Sequence, residues 1–175
     1  MEYLDLYDRN KKKTGSKILR KSKIPEGMYQ LVVVIFIQNQ KGEFLIQKRA
    51  RRKDGKWAST GGTVITGETS RQAVIRETKE ELGIDITKDS FVLYQELRDE
   101  DTYIDLYYLQ KEIIVENLIL QKEEVEQVKW MSTEQIDKII QNKTFSKRHA
   151  FFLKECYTFL QQKKKYNNLA NIKIM

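Results

Sequence analysis

Residues 62–84 read GTVITGETSRQAVIRETKEELGI, and this stretch organises both the fold and the chemistry. Thr69 stands where a helix N-cap belongs, with Gln72 three residues on, a capping-box pattern. Gly83 follows Leu82 at the position of a helix C′ residue. Between these ends, Val74, Ile75, Thr78 and Leu82 form one stripe that is expected to face a core. Glu77, Glu80 and Glu81, at offsets of three and four, share a face beside that stripe. Like charges at that spacing repel by about 0.2–0.5 kcal/mol per pair, and a divalent cation turns the repulsion into attraction. Hard cations such as Mg²⁺ take oxygen ligands, commonly one or two carboxylates with substrate phosphates and water. Arg76 lies one turn before Glu80 and is placed to hold its carboxylate by a charge-assisted bond. Gly61-Gly62 and Gly67-Glu68 precede the helix, in a loop where backbone can approach a ligand closely. An ordinary solvated acidic helix is the plain alternative for the glutamates alone.

The same stretch resembles the Nudix box: Gly, five residues, Glu, seven residues, Arg-Glu, an apolar residue, any residue, Glu-Glu, any residue, Gly, apolar. Gly62, Glu68, Arg76-Glu77, Glu80-Glu81, Gly83 and Ile84 fall on its fixed positions. Thr78 departs from it, standing where an aliphatic residue is usual; its hydroxyl can bond back to a helix carbonyl. The resemblance covers residues 62–84 directly and extends more weakly, through element order, from about Glu2 to Met131. It implies an α/β/α sandwich with a mixed sheet, and metal-dependent hydrolysis of a nucleoside diphosphate linked to another group X. It further implies Mg²⁺ or Mn²⁺ as cofactor, with Glu77, Glu80, Glu81 and the Gly62 carbonyl as ligands and Glu68 paired with Arg76 to brace the loop. The N-terminal extension and the segment IPEGMYQLVV also look like the subgroup similar to isopentenyl-diphosphate isomerase. Isomerases of that kind need a cysteine acid/base and a histidine-bearing metal site near Gly61; here no cysteine or histidine precedes residue 149, which argues against isomerisation.

Outward from the box, Tyr29–Gln38 (YQLVVVIFIQ) is the strongest strand signal, a β-branched apolar run expected to be buried on both faces. Asn39–Gly42 reads as a hairpin turn and Glu43–Lys48 as the returning strand. Tyr3–Tyr7 reads as a short edge strand, Asp8–Gly15 as a polar turn, and residues 16–28 as a basic N-terminal arm. Lys48–Lys56 reads as a basic loop and Trp57–Thr60 as a short extended segment leading to the glycines. Further strands are expected at Phe91–Arg98, Tyr103–Ile114 and Val125–Met131. A helix over Thr133–Ile140, capped by Ser132, follows. A C-terminal helix over Phe145–Gln162 is expected to carry Phe152, Cys156, Phe159 and Leu160 on one side. Strands on both sides of a central helix indicate an α/β domain. The expected organisation is one domain over residues 1–175: the arm at 1–28, the box at 62–84, and a C-terminal helix and tail at 145–175.

The 175 residues carry a net charge of +7 and a single cysteine. One cysteine excludes an intrachain disulfide and fits a reducing compartment. The start MEYLDLYDRN has no apolar stretch after a basic segment, and no run approaches membrane-spanning length, so a cytoplasmic location is expected. The basic balance favours anionic partners. A small-molecule diphosphate fits; a non-catalytic nucleotide- or RNA-binding module is the competing class, and the complete set of box carboxylates argues against it. Nothing in the sequence distinguishes monomer from homodimer. The run QQKKKYNN at 161–168 reads as solvated.

Several further residues are candidates. Arg49, with Lys48, leaves a strand just before the glycines, and an arginine fork matches phosphate oxygens. Water activation is open among Glu80, Glu81 and a later acid. Glu123 and Glu124, just before the Val125 strand, are the late candidates, with Glu124 a further possible metal ligand; Asp105 is an acid in an apolar strand that needs a partner if buried. His149 is expected on a helix surface and Cys156 as a buried, inert thiol.

Overall fold

In the computed structural model, which describes the backbone of residues 1–172 and the side chains of residues 1–165, the apolar run becomes the central strand β3 (Gln30–Gln38). It runs parallel to β8 (Thr102–Gln110) along its whole length and antiparallel to β6 (Thr60–Thr63). It meets β4 (Phe44–Arg49) only at Gln38 and Phe44, across the turn. β4 pairs antiparallel with β5 (Trp57–Ala58) and β9 (Val125–Met131), and β7 (Val92–Asp99) with β8. The result is a mixed seven-stranded sheet.

Successive side chains of a strand point to opposite faces, and β3 is apolar on both. Val33, Ile35 and Ile37 pack with Ala73, Val74 and Leu82 of α1 (Ser70–Leu82). Val34 and Phe36 pack on the other face with Ile136 of α2 (Thr133–Gln141) and with Phe152 and Cys156 of α3 (Lys147–Ile172). This is the expected α/β/α sandwich. Each buried Val, Leu, Ile or Phe among them stabilises the fold by roughly 1.5–3 kcal/mol relative to exposure. Thr78, buried in α1, donates its hydroxyl to the Val74 carbonyl at 2.7 Å, so the polar substitution in the apolar stripe is satisfied inside the helix. Both helix caps are as predicted: Thr69 closes a capping box with Gln72, and Gly83 adopts φ 72°.

The N-terminal arm is different from expectation. Lys13–Leu19 forms β2, antiparallel to β1 (Tyr3–Tyr7), where the sequence reads as turn and basic arm. Nearly all of β2 is exposed, so it has no buried face to create an alternating pattern; backbone pairing alone makes it a strand. The glycine tract is likewise a strand: β6 lies against β3 so closely that a Cβ on Gly61 would fall 2.3 Å from the Val33 carbonyl oxygen. β8 ends at Gln110 rather than Ile114; the chain then turns, and Val115–Asn117 forms a 3₁₀ turn. α3 starts two residues later than expected and extends beyond Gln162. Gln161–Lys165 of the basic run are exposed; the remaining side chains of that run, and residues 173–175 of the tail, lie outside the described residues. Among the described residues no helix is long and apolar enough to cross a membrane.

Candidate functional site

A cleft of about 210 Å³ opens between the N-terminal hairpin, the end of β4, the middle of β6, α1 and the segment before β9. Its floor is the acidic face of α1. Glu77 and Glu81 do not lie beside the buried surface, as the spacing suggests, but within it, at 6% and 8% exposure, while Glu80 is exposed. Gly62 forms the opposite side. A Cβ there would fall 2.1 Å from Glu77 Oε1, so only glycine leaves that carboxylate its place over the strand backbone.

Arg76 organises the floor. Its Nε and Nη2 donate to the two oxygens of Glu68 at 2.7 and 3.0 Å, its Nη1 to Glu77 at 2.8 Å and Glu80 at 3.0 Å, and its Nη2 to the Thr63 carbonyl at 3.1 Å. These bonds use all five donors of a guanidinium. Burial alone would lower the Arg76 pKa, but Glu68 and Glu77 outweigh it and hold the cation firmly charged. Glu68 Oε2 also accepts from the Ile65 backbone at 3.2 Å, which fixes the loop before the helix.

The carboxylates differ in environment. Burial raises the Glu77 pKa although Arg76 opposes the shift. Glu81 is raised to about 7, chiefly by burial and further by Glu77 and Glu124, against a hydrogen bond from Gln47. That bond, Gln47 Nε2 to Glu81 Oε2, is 2.9 Å; Thr60 donates to the Gln47 carbonyl oxygen at 3.0 Å. A buried chain Thr60–Gln47–Glu81 thereby sets the carboxylate's orientation.

Of the other predicted residues, Glu124 and Arg49 line the cleft. Glu124 is carried there by the segment after the 3₁₀ turn, which docks on the end of α1 through Gln121 N to Glu81 O at 3.1 Å. It is paired with Lys53 at 2.6 Å and Arg52 at 3.4 Å. Arg49 pairs with Asp54 at 3.1 Å. Lys48 does not line the cleft; β-strand alternation turns it away to Glu126, 2.7 Å distant. Glu123 is not among the lining residues either: its contact with Arg52 runs through its backbone carbonyl. Asp105 is buried and bonded to Lys11, so its role is to anchor the N-terminal hairpin.

His149 corrects the surface-helix expectation. The stretch Thr144–Ser146 bonds to Trp57 on both sides, which sets the first turn of α3 over Ser59. Ser59 Oγ and His149 Nδ1 are then 2.6 Å apart, and His149 lines the cleft. The residue keeps some exposed surface, but enclosure of the ring, aided by the Arg49 and Arg148 charges, lowers its pKa to about 4. Burial pushes the Cys156 thiol up to about 12, an inert group as expected.

A model of the NUDIX domain matches residues 28–156. The chain belongs to the Nudix family. An uncharacterized Nudix hydrolase of Listeria monocytogenes is 36% identical over 142 residues, covering 78% of this chain and 83% of the relative. The dihydroneopterin triphosphate diphosphatase of Escherichia coli is 38% identical over 74 residues, 42% of this chain and 47% of that one. A crystal structure of a protein from Deinococcus radiodurans superposes with a TM-score of 0.74 at 24% identity, covering 89% of this chain and 99% of the other, which shows a shared fold.

This Nudix protein is thus a hydrolase, of a family that acts on diphosphate-containing substrates and generally needs a divalent metal ion such as Mg²⁺. Its cleft also contains residues outside the box. Gln47 is detectable in the sequence only as one polar side chain in the apolar strand segment FLIQ. Ser59, Lys53, Glu2 and Arg20 carry no local signal, because pairing distant in sequence brings them to the cleft.

Proposed function

We propose that this Nudix hydrolase cleaves the diphosphate of a nucleoside diphosphate linked to another group, using Mg²⁺ or Mn²⁺. The observation that carries this reading is the single cleft that brings Glu77, Glu80, Glu81, Gly62 and Glu124 together with Arg49. The donor set is all oxygen, which suits a hard cation. The glycine cradle beneath Glu77 supports the fit, since any side chain at residue 62 would fill it. Glu77, Glu80, Glu81 and the Gly62 carbonyl would hold the ion, with Glu124 across the cleft. Among the described residues no three acidic, histidine or cysteine side chains stand close enough together to share one ion, and Arg76 Nη1 sits between Glu77 and Glu80. Holding an ion would exchange the Arg76 bonds of Glu77 and Glu80 for metal bonds, while the Glu68 contacts would keep Arg76 in place. A bound divalent ion would supply positive charge against the diphosphate.

The chain's own groups do the rest. Arg49 offers a fork to phosphate oxygens once released from Asp54. The enclosed Glu81, the exposed Glu80 or Glu124 across from them would accept the proton from water. The names of relatives support the substrate class: a triphosphate diphosphatase cuts the same kind of bond. A cleft of about 210 Å³ is on the scale of a diphosphate group, which favours a small-molecule partner over nucleic acid.

The test is a phosphate-release screen over nucleoside diphosphates, nucleotide sugars, dinucleotides and triphosphates, with Mg²⁺ and Mn²⁺ compared, on wild type and Glu80→Gln. The expected result is metal-dependent turnover that the variant abolishes with its fold near native. Full metal-dependent activity in Glu80→Gln would remove Glu80 from the site, and absence of turnover on every diphosphate would refute the reading.

A further inference from the structure

Residues 1–27 lie outside the stretch matched by the family model, yet they reach the cleft. β1 and β2 pair with Tyr3 opposite Leu19, so Glu2 and Arg20 stand side by side at the open end of this hairpin. Arg20 N donates to the Glu2 carbonyl at 2.9 Å, and the two side chains form an ion pair. The hairpin is fixed to the domain in several places. Tyr7 and Tyr29 exchange two backbone bonds of 2.8 and 2.9 Å, Thr66 N donates to the Tyr3 carbonyl at 2.7 Å, and Lys11 bonds the buried Asp105. Arg20 is therefore held at a defined place.

That place is a junction. Glu2, Arg20, Lys53 and Glu124 line the cleft and also a second depression of about 360 Å³, which Leu19 and Lys21 border farther out. Two cations stand at the junction, each held by one carboxylate: Arg20 by Glu2, and Lys53 by Glu124. The side chains of Arg20 and Glu2 are 34% and 50% exposed. Ion pairs so exposed contribute only about 0–1 kcal/mol. A phosphate group, with more charge and three acceptor oxygens, is a stronger partner for an arginine fork than the Glu2 carboxylate.

We propose that Arg20 is a substrate-binding, specificity-determining residue of this hydrolase: with Lys53 it takes a phosphate of the substrate beyond the bond that is cut. It thereby favours substrates that carry a further free phosphate over those whose diphosphate ends in a neutral sugar. Glu2 competes with that phosphate for the guanidinium. This inference rests on the diphosphate-hydrolase reading and gives its cleft a substrate preference.

The experiment compares wild type, Arg20→Ala, Arg20→Lys and Glu2→Gln in steady-state kinetics on a nucleoside triphosphate and on a nucleoside diphosphate sugar, with thermal unfolding recorded for each. Arg20→Ala is expected to raise KM for the triphosphate about tenfold, at least five times more than for the sugar substrate, and to change KM more than kcat. Arg20→Lys recovers part of the loss, because the charge stays while the fork is gone. Glu2→Gln lowers KM for the triphosphate. Equal effects on both substrates, an unchanged KM in Arg20→Ala, or weaker triphosphate use by Glu2→Gln would each overturn the proposal. In parallel, calorimetry measures the binding of inorganic triphosphate to wild type and Arg20→Ala. Weaker binding to the variant is expected and equal binding overturns the contact. If wild type cleaves neither substrate, the hydrolase reading fails by itself, and the calorimetric comparison still decides the role of Arg20.

Discussion

Arg76 and Glu68 meet through two parallel bonds, Nε to Oε1 at 2.7 Å and Nη2 to Oε2 at 3.0 Å. The pair joins α1 to the loop that enters it, and both side chains are mostly buried, at 19% and 17% exposure. Removing one partner of such a pair leaves the other charge desolvated, which costs more than the pair itself contributes. Glu68→Gln is therefore expected to destabilise the protein by about 2–3 kcal/mol in chemical denaturation. Arg76→Lys should cost a similar amount, since one ammonium cannot replace five directed donors. A loss below about 0.5 kcal/mol in both variants would show that the pair is solvated, as surface pairs are.

The adjacent glycines separate site from fold. At Gly61 a Cβ would strike backbone, the Val33 carbonyl oxygen at 2.3 Å; at Gly62 it would strike the end of a flexible side chain, the Glu77 carboxylate at 2.1 Å. Backbone in a sheet cannot yield as a carboxylate can. Gly61→Ala is expected to lower stability by at least about 2 kcal/mol, as overpacking does. Gly62→Ala should stay within about 1 kcal/mol of wild type, because only a side chain moves. Its activity should nevertheless fall more than tenfold, since Glu77 is displaced. Unfolding curves and turnover on one protein sample check both; an active Gly62→Ala would mean that the Glu77 position is not required.

The box was legible in the sequence because its chemistry is local. Glu68, Arg76, Glu77, Glu80 and Glu81 lie within fourteen residues, and helix periodicity alone puts the last three together. The central sheet was legible for a similar reason: β3 has two buried faces, and its apolar run reports both. What stayed hidden depends on pairing between distant segments. β2 is a strand only through β1, and its exposed side chains leave no pattern. His149 looked like a surface residue because its burial comes from Ser59 and Trp57, ninety residues away in sequence. Arg49 is the preferred phosphate contact in the sequence for its fork, with Lys48 beside it, but only strand alternation shows that Lys48 turns to Glu126 and Arg49 to the cleft.

Arg49 offers the direct check on phosphate contact. Its pair with Asp54 is about one-third exposed on each side and contributes little to folding. Arg49→Ala should therefore shift the unfolding midpoint only slightly. It should raise KM for a diphosphate substrate about tenfold, the loss of one charge-assisted contact worth about 1.5–3 kcal/mol. An unchanged KM would take Arg49 out of the binding site.

His149 sets a pH limit on stability. Its folded-state pKa, near 4, lies below the usual 6.5, so between these values an unfolded chain binds a proton that the folded protein excludes. The contribution is fully present above pH 6.5 and is lost as the pH falls toward 4. His149→Gln can keep a hydrogen bond to Ser59 while removing the titration. Between pH 6.5 and 4.5, wild type should lose on the order of 2 kcal/mol more stability than this variant, at about 1.4 kcal/mol per unit of pH. Denaturant unfolding at a series of pH values measures the difference. Parallel curves for the two proteins would mean that the imidazole takes up its proton in the folded state as readily as in water, which the enclosure beside Ser59, Arg49 and Arg148 opposes.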